Sequence, residues 1–351
     1  MKIRILTQPL GRNIGGIMQN YALMTACENF SKDVRTFNIH YPVPFWFPVI
    51  KYGACIKRLF LKIFVNRKTV VRWWLENNIG IPQKKDLMDV EKCNELRHLD
   101  FSNTMFVIGS DQVWRKEMSP DLMTFFGSFL NDGIPRIAYA ASLGLDYWQF
   151  NENETKKIIS LLKKFKAISV REESAVQLLK ERGIEAQLLL DPTLLLQPDD
   201  YAGLETDVSR RFADYKHVFL YCLDKHPLQD EVSLRVGSEK KIPVMNIMEN
   251  LQIDNWISGL RIAEYVITDS FHGTVFSILF HKKFIVVANE LRGLTRLQSL
   301  LKMFGLEDRF VMSFDDFDCE KLDAEIDYES VDVILNQERE KSFAFLRKNL
   351  S

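Results

Sequence analysis

Short apolar runs that break off into polar or glycine-bearing clusters recur along this chain, with helical patterns between them. Lys2–Leu6 gives way to Gln8–Gly16, Met105–Ile108 to Gly109–Arg115, and Ile137–Ala140 to Ala141–Gly144. Ala167–Val170 ends in Arg171–Ser174, Ala186–Leu190 in Asp191–Thr193, Tyr265–Thr268 in Asp269–Gly273, and Phe284–Val287 in Ala288–Arg292. Apolar runs without alternation read as strands buried on both faces, and strands separated by helices read as doubly wound parallel sheet. Ligands of such sheets bind outside the carboxyl ends of the strands, so function is expected in the clusters. Polar, turn-rich sequence over Gln197–Arg211 predicts a linker. The organisation expected is one α/β domain over 1–196, a second over 212–330 and a terminal amphipathic helix over 331–351.

Composition narrows the function classes. At 351 residues, 46% hydrophobic and 26% charged, the chain is long enough for two globular cores. A net charge of −1 carries no field for nucleic acid. The five cysteines, Cys27, Cys55, Cys93, Cys222 and Cys319, are scattered, which suits a reducing compartment and no metal knuckle. The first residues turn polar too soon for a secretory leader, and no run is long enough to span a bilayer. A cytoplasmic protein is expected.

Tyr265–Val287 is the most informative unit. Asp269-Ser270 offers helix-capping side chains, and the helix opens on Ser270-Phe271-His272-Gly273. The first turn of a helix presents unpaired N–H groups and a partial positive charge to an anion. Gly273 would let a ligand approach the backbone, and His272 could move a proton beside it. A capped core helix with a histidine in its first turn has the same pattern. Asn13-Ile14-Gly15-Gly16 likewise places two glycines where the backbone meets either a ligand or a neighbouring strand.

Pro42–Leu75 is of another kind. Phe45, Trp46, Phe47, Trp73 and Trp74 alternate with Lys51, Lys57, Arg58, Lys62, Arg67, Lys68 and Arg72, with no acid before Glu76. Such a segment fits a helix lying on an anionic membrane surface, at the cytoplasmic face of the inner membrane. Core helices with solvated basic ends also read this way.

Taken together, Asn13–Gly16 with Gln19-Asn20-Tyr21-Ala22, Gly109-Ser110-Asp111-Gln112-Val113-Trp114, Tyr139–Gly144, Ser169–Glu172, Leu190–Thr193 and Asp269–Gly273 resemble the polysaccharide pyruvyl transferase family in order and over most of the length. The resemblance implies two Rossmann-like domains facing across a cleft, as in GT-B glycosyltransferases. It implies phosphoenolpyruvate as co-substrate, no cofactor, and a glycan acceptor, often polyprenyl-diphosphate-linked, that receives a cyclic pyruvate ketal. Galactose of a capsular repeat unit is the acceptor expected. Many relatives carry an arginine where this chain has Ser270, so Arg292 and Arg296 are expected to replace that cation.

The roles assigned on this basis are specific. His272 donates the proton and Asp111 is the base on the acceptor side. Arg171, Ser270, Phe271, Gly273, Arg292 and Arg296 bind phosphoenolpyruvate; Asn13, Gly15, Gly16 and Gln112 hold the acceptor. No metal is required, since the acid-rich Asp315–Asp318 reads as a surface turn. Asp191-Pro192 reads as a turn, and Trp114 and Tyr139 as packing residues. A nucleotide-sugar glycosyltransferase and a non-catalytic anion-binding relative remain alternatives on the same architecture.

Overall fold

The computed structural model describes residues 1–10, 13–39, 88–90, 101–119, 121–212, 214–289 and 293–351. Pro42–Leu75 and Arg292 lie outside them.

The strands are β1 (Lys2–Leu6), β2 (Val34–Ile39), β3 (Met88–Val90), β4 (Thr104–Ile108), β5 (Arg136–Ala141), β6 (Ala167–Val170), β7 (Gln187–Leu188), β8 (Val218–Tyr221), β9 (Val244–Asn246), β10 (Tyr265–Thr268), β11 (Lys283–Val287) and β12 (Phe310–Val311). Among the described residues they form two all-parallel sheets, in the orders β3-β2-β1-β4-β5-β6-β7 and β12-β11-β10-β8-β9. The central strands β4, β5, β8 and β10 are buried at every residue, as unbroken apolar runs require when helices cover both faces.

The helices are α1 (Ile14–Glu28), α2 (Glu152–Leu162), α3 (Glu173–Lys180), α4 (Pro198–Ala202), α5 (Asp207–Phe212), α6 (Pro227–Lys240), α7 (Ile253–Ile262), α8 (Phe271–Leu279), α9 (Thr295–Phe304), α10 (Cys319–Asp323) and α11 (Tyr328–Leu350). Every residue of α8 is buried, so it is a core helix, and its two hydroxyl side chains are satisfied at short range. Thr274 and Ser277 donate to the carbonyls of Ser270 and Gly273, 3.0 and 2.8 Å away. One hydrophobic cluster runs from Ile3 and Met105 under the first sheet, through Ile17 and Tyr201, to Phe276 and Val286 under the second. The two halves therefore share packed interior where they meet.

Three expectations change. Gln197–Arg211 is not an open linker. Its helices α4 and α5 pack inward, with Tyr201 4.8 Å from the Phe276 ring and its hydroxyl donating to the Thr193 carbonyl at 2.8 Å. Helices of five and six residues are too short for apolar periodicity to show. The edge strands β3 and β12 were not expected, being only three and two residues long. The terminal helix begins at Tyr328 and leaves the second half. Tyr328 stacks on His281, whereas Arg339 donates to the carbonyls of Leu194 and Leu196, and Phe345 packs 6.2 Å from Tyr139.

Candidate active site

The carboxyl ends of β4, β6 and β7 and the first turns of α1 and α8 meet at one buried polar cluster. Arg171, at the end of β6, donates from Nη2 to Asp111 Oδ1 at 2.9 Å and from Nη1 to Asp191 Oδ2 at 2.7 Å. The guanidinium is thus shared between two carboxylates, and all three side chains are at most 7% exposed. Asp191 is held further by Ser110 Oγ at 3.2 Å and by the amide and hydroxyl of Thr193 at 3.1 and 2.6 Å. Asp111 has a φ of +69°, a left-handed backbone that aspartate tolerates better than most residues. The Gln112 amide donates to its Oδ1 at 2.9 Å.

His272 crosses from the second half into this cluster. Its Nε2 lies 3.8 Å from Asp191 Oδ2, beyond hydrogen-bond length, and is sealed from solvent without another partner. The Nδ1 edge faces Gly15: a Cβ built there would stand 2.1 Å from Nδ1. Gly16 meets the other catalytic candidate, with its ideal Cβ position 3.5 Å from Asp111 Oδ2 and 3.5 Å from the Asn13 side-chain amide. Consecutive glycines of α1 therefore receive the imidazole and the carboxylate. Asn13 caps this helix without a side-chain hydrogen bond and is exposed.

Burial opposes ionisation of Asp111, but Arg171, His272, Arg296 and the Gln112 amide outweigh it and hold the carboxyl below the usual range. For Asp191 the same contest runs against His272, Arg171 and Thr193, and its pKa falls far below the ordinary value. Arg171 moves the opposite way from what burial alone would do, because Asp111, Asp191 and Glu172 surround it. All three groups are charged at neutral pH.

Phe271 packs against two buried arginines. Its ring centroid is 4.5 Å from the Arg171 guanidinium carbon and 5.8 Å from that of Arg296 in α9. Burial and the charge of Arg171 lower Arg296 to about 10, so it too remains a cation at neutral pH. Both arginines adjoin the first turn of α8, where Ser270 Oγ accepts from the Gly273 amide at 3.3 Å. Gly273 has a packing role: a Cβ there would meet Thr268 Oγ1 at 2.2 Å, so close approach of Thr268 already requires glycine. Gln112 is committed locally, its Oε1 accepting from Arg115 at 2.9 Å.

Of the residues singled out in the sequence, the structure brings His272, Asp111, Arg171, Phe271, Ser270, Arg296, Asn13, Gly15 and Gly16 into one neighbourhood. It misreads Asp191, which is no simple turn residue but the group that links Arg171 to His272. It also misses Glu172, fully buried, whose Oε1 accepts from the Leu143 and Gly144 amides at 2.8 and 3.1 Å. A strand-end position was the signal available for both. Among the described residues no group of three or more acidic, histidine or cysteine side chains has the geometry of a metal site.

Residues 13–290 match the sequence profile of the polysaccharide pyruvyl transferase family. The chain belongs to this family. A pyruvyltransferase enzyme is thus the activity on which the cluster must be read. No match was found among curated proteins. Solved structures similar to this pyruvyl transferase include the UDP-GlcNAc 2-epimerase of Methanocaldococcus jannaschii in complex with UDP-GlcNAc and UDP. Its TM-score is 0.53 at 12% identity, over 99% of each chain. The S. aureus MnaA–UDP structure has a TM-score of 0.51 at 11% identity, over 97% of this chain and 96% of that one. At such identities the likeness concerns the fold alone, two Rossmann-like domains in a GT-B-like arrangement.

Proposed function

We propose that this pyruvyl transferase takes its pyruvyl group from phosphoenolpyruvate and closes it as a cyclic ketal on two hydroxyls of a glycan under assembly, releasing phosphate. The observation that carries the reading is the pair of buried arginines, Arg171 and Arg296, on Phe271 beside His272 and the opening turn of α8. Burying a carboxylate and a phosphate together requires fixed cations and aligned N–H donors, and this corner of the molecule supplies both. Arg171, Arg296, Ser270 and Phe271 bind the donor. Arg292 follows β11 in sequence and is assigned to the same side.

The reaction divides into two steps. A proton from His272 adds to C3, the C2=C3 electron pair forms the new C–H bond, and C2 becomes an oxocarbenium centre. The first acceptor hydroxyl bonds to C2 and loses its proton. The second hydroxyl then attacks C2, the C2–O bond to phosphate breaks, and the second proton leaves with hydrogen phosphate. General acid–base help of this kind gives roughly 10²–10⁴ in rate. Asp111, ionised and weakly basic, is suited to the acceptor side, because a hydroxyl proton becomes acidic as its oxygen bonds to a cationic carbon. Asn13, Gly15, Gly16 and Gln112 line that side.

The acceptor we propose is a galactose of a capsular repeat unit carried on polyprenyl diphosphate at the cytoplasmic membrane face. Among the described residues no helix is long and apolar enough to cross a membrane, and the basic-aromatic segment 42–75 is the proposed contact. Incubating purified protein and phosphoenolpyruvate with lipid-linked oligosaccharides, and reading pyruvyl adducts by mass spectrometry together with phosphate release, tests the reading. Adducts only on non-galactose acceptors would change the sugar. Sugar transfer from a nucleotide donor with no pyruvyl adduct would replace the donor.

A further inference from the structure

The sequence-derived roles leave Asp191 unused, yet it is the residue best placed to govern His272. Its Oδ2 is the carboxylate oxygen nearest Nε2, at 3.8 Å, and Nε2 has no other hydrogen-bond partner. A slight turn of the ring closes that gap to a charge-assisted hydrogen bond. The opposite ring nitrogen, Nδ1, stands against Gly15, whose missing Cβ leaves the space that the ring itself occupies, and it is Nε2 rather than Nδ1 that is sealed without a partner. Asp191 itself cannot swing away, since Thr193, Ser110 and Arg171 fix both of its oxygens.

We propose that Asp191 is a positioning residue that keeps a proton on Nε2 of His272, so that Nδ1 is the nitrogen that gives a proton to the donor substrate. This rests on the reading of phosphoenolpyruvate as donor. A carboxylate beside one imidazole nitrogen sets which tautomer remains after the other has released its proton, and it stabilises the imidazolium beforehand. In the transfer, the Nδ1–H bond breaks and its proton joins C3 as the C2=C3 pair forms the C–H bond. The ring is left neutral with its proton on Nε2. The first acceptor hydroxyl returns a proton to Nδ1, directly or through Asp111.

The other charged groups around the ring do not single out a nitrogen in this way. Asp111, from the end of β4, and Arg171, from β6, act on His272 from the first half; Arg296, from α9, lies beyond Phe271. Their charges oppose one another, one carboxylate against two guanidiniums. Among the described residues Asp191 is the carboxylate that meets the Nε2 edge within 4 Å.

The test uses protein labelled with ¹⁵N at histidine and observed by long-range ¹H–¹⁵N correlation. The His272 signal is identified by its loss in His272→Gln. The neutral ring is expected as the Nε2–H tautomer in the free protein, before any substrate is added. A neutral ring protonated on Nδ1 would overturn the proposal. In Asp191→Asn the preference should weaken, and the alkaline limb of kcat should be displaced. A purely structural role would lower kcat at every pH and leave that limb in place, which also overturns the proposal. Should Asp191→Asn not fold, the wild-type tautomer decides alone. Should the wild-type protein release no phosphate from phosphoenolpyruvate with any acceptor, the donor reading falls, and the tautomer still reports separately on the Asp191–His272 relationship.

Discussion

A methyl group on Gly15 would stand 2.1 Å from Nδ1 of His272, so the first turn of α1 and the imidazole occupy complementary space. Helix propensity favours alanine over glycine there by about 0.5–1 kcal/mol. The clash opposes it, and overpacking costs roughly 1–3 kcal/mol. Gly15→Ala is therefore expected to shift thermal stability only modestly but to push the imidazole aside. Misplacement of about 1 Å can cost on the order of 100-fold in rate. Steady-state kcat beside a thermal melt checks this; unaltered kcat in Gly15→Ala would mean the ring is not where chemistry occurs.

Arg171 is expected to matter for folding before it matters for catalysis. Alanine at this position strands Asp111 and Asp191, both buried and both paired to it at 2.9 and 2.7 Å. Breaking a buried ion pair on one side costs about 3–5 kcal/mol. Arg171→Ala should unfold at markedly lower urea concentration. Arg171→Lys should fold better yet lose activity, because one ammonium cannot reproduce the planar fork that joins the two carboxylates. Equal urea midpoints for wild type and Arg171→Ala would contradict the network.

Arg296 should behave in the opposite way. It packs on the same Phe271 ring as Arg171, and burial together with that like charge lowers it to about 10. Arg296→Met is expected to leave the melting temperature within a few degrees of wild type while raising KM for phosphoenolpyruvate about 10- to 100-fold, the equivalent of one charge-assisted contact. Initial-rate kinetics at fixed acceptor, with the melt as control, separates the two effects.

Stability should fall in acid through this cluster. The folded pKa values of Asp111 and Asp191 lie below the ordinary carboxylate value near 3.9. Their contribution is therefore complete above that value and lost as pH falls through the folded ones, since the unfolded chain binds more protons. Each such group adds about 1.4 kcal/mol per pH unit to the slope in that window. Urea unfolding between about pH 5 and 3 should show a shallower decline in Asp111→Asn than in wild type. Parallel curves would place the acid sensitivity elsewhere.

Much of this arrangement was legible in the residues because parallel strands buried on both faces leave little choice of pattern. Lys2–Leu6, Ala167–Val170 and Tyr265–Thr268 were readable to the residue, the latter two being runs bounded by charge on both sides. Strand-end clusters named His272, Asp111 and Arg171. What stayed hidden depends on distance in space. Nothing local distinguishes Asp191 before Pro192 from an ordinary turn until Arg171 and His272 arrive from other elements. Gly273 looked like a ligand position, whereas Thr268 close behind it explains the absent side chain. Helices as short as α4 carry no period, and only the burial of Tyr201 shows that they are interior.

The long reach of α11 has a consequence for how the protein is made. Ser342 accepts a hydrogen bond from the Leu190 amide at 3.3 Å, and Lys166 donates to the Asn349 carbonyl at 3.0 Å, each across more than a hundred residues of chain. On the ribosome, then, the first-synthesised sheet emerges with one flank bare and stays so until residues 328–350 have been added. Until that moment the surface that Arg339, Ser342 and Phe345 cover stays open, although every residue of the buried polar cluster has been added by position 296.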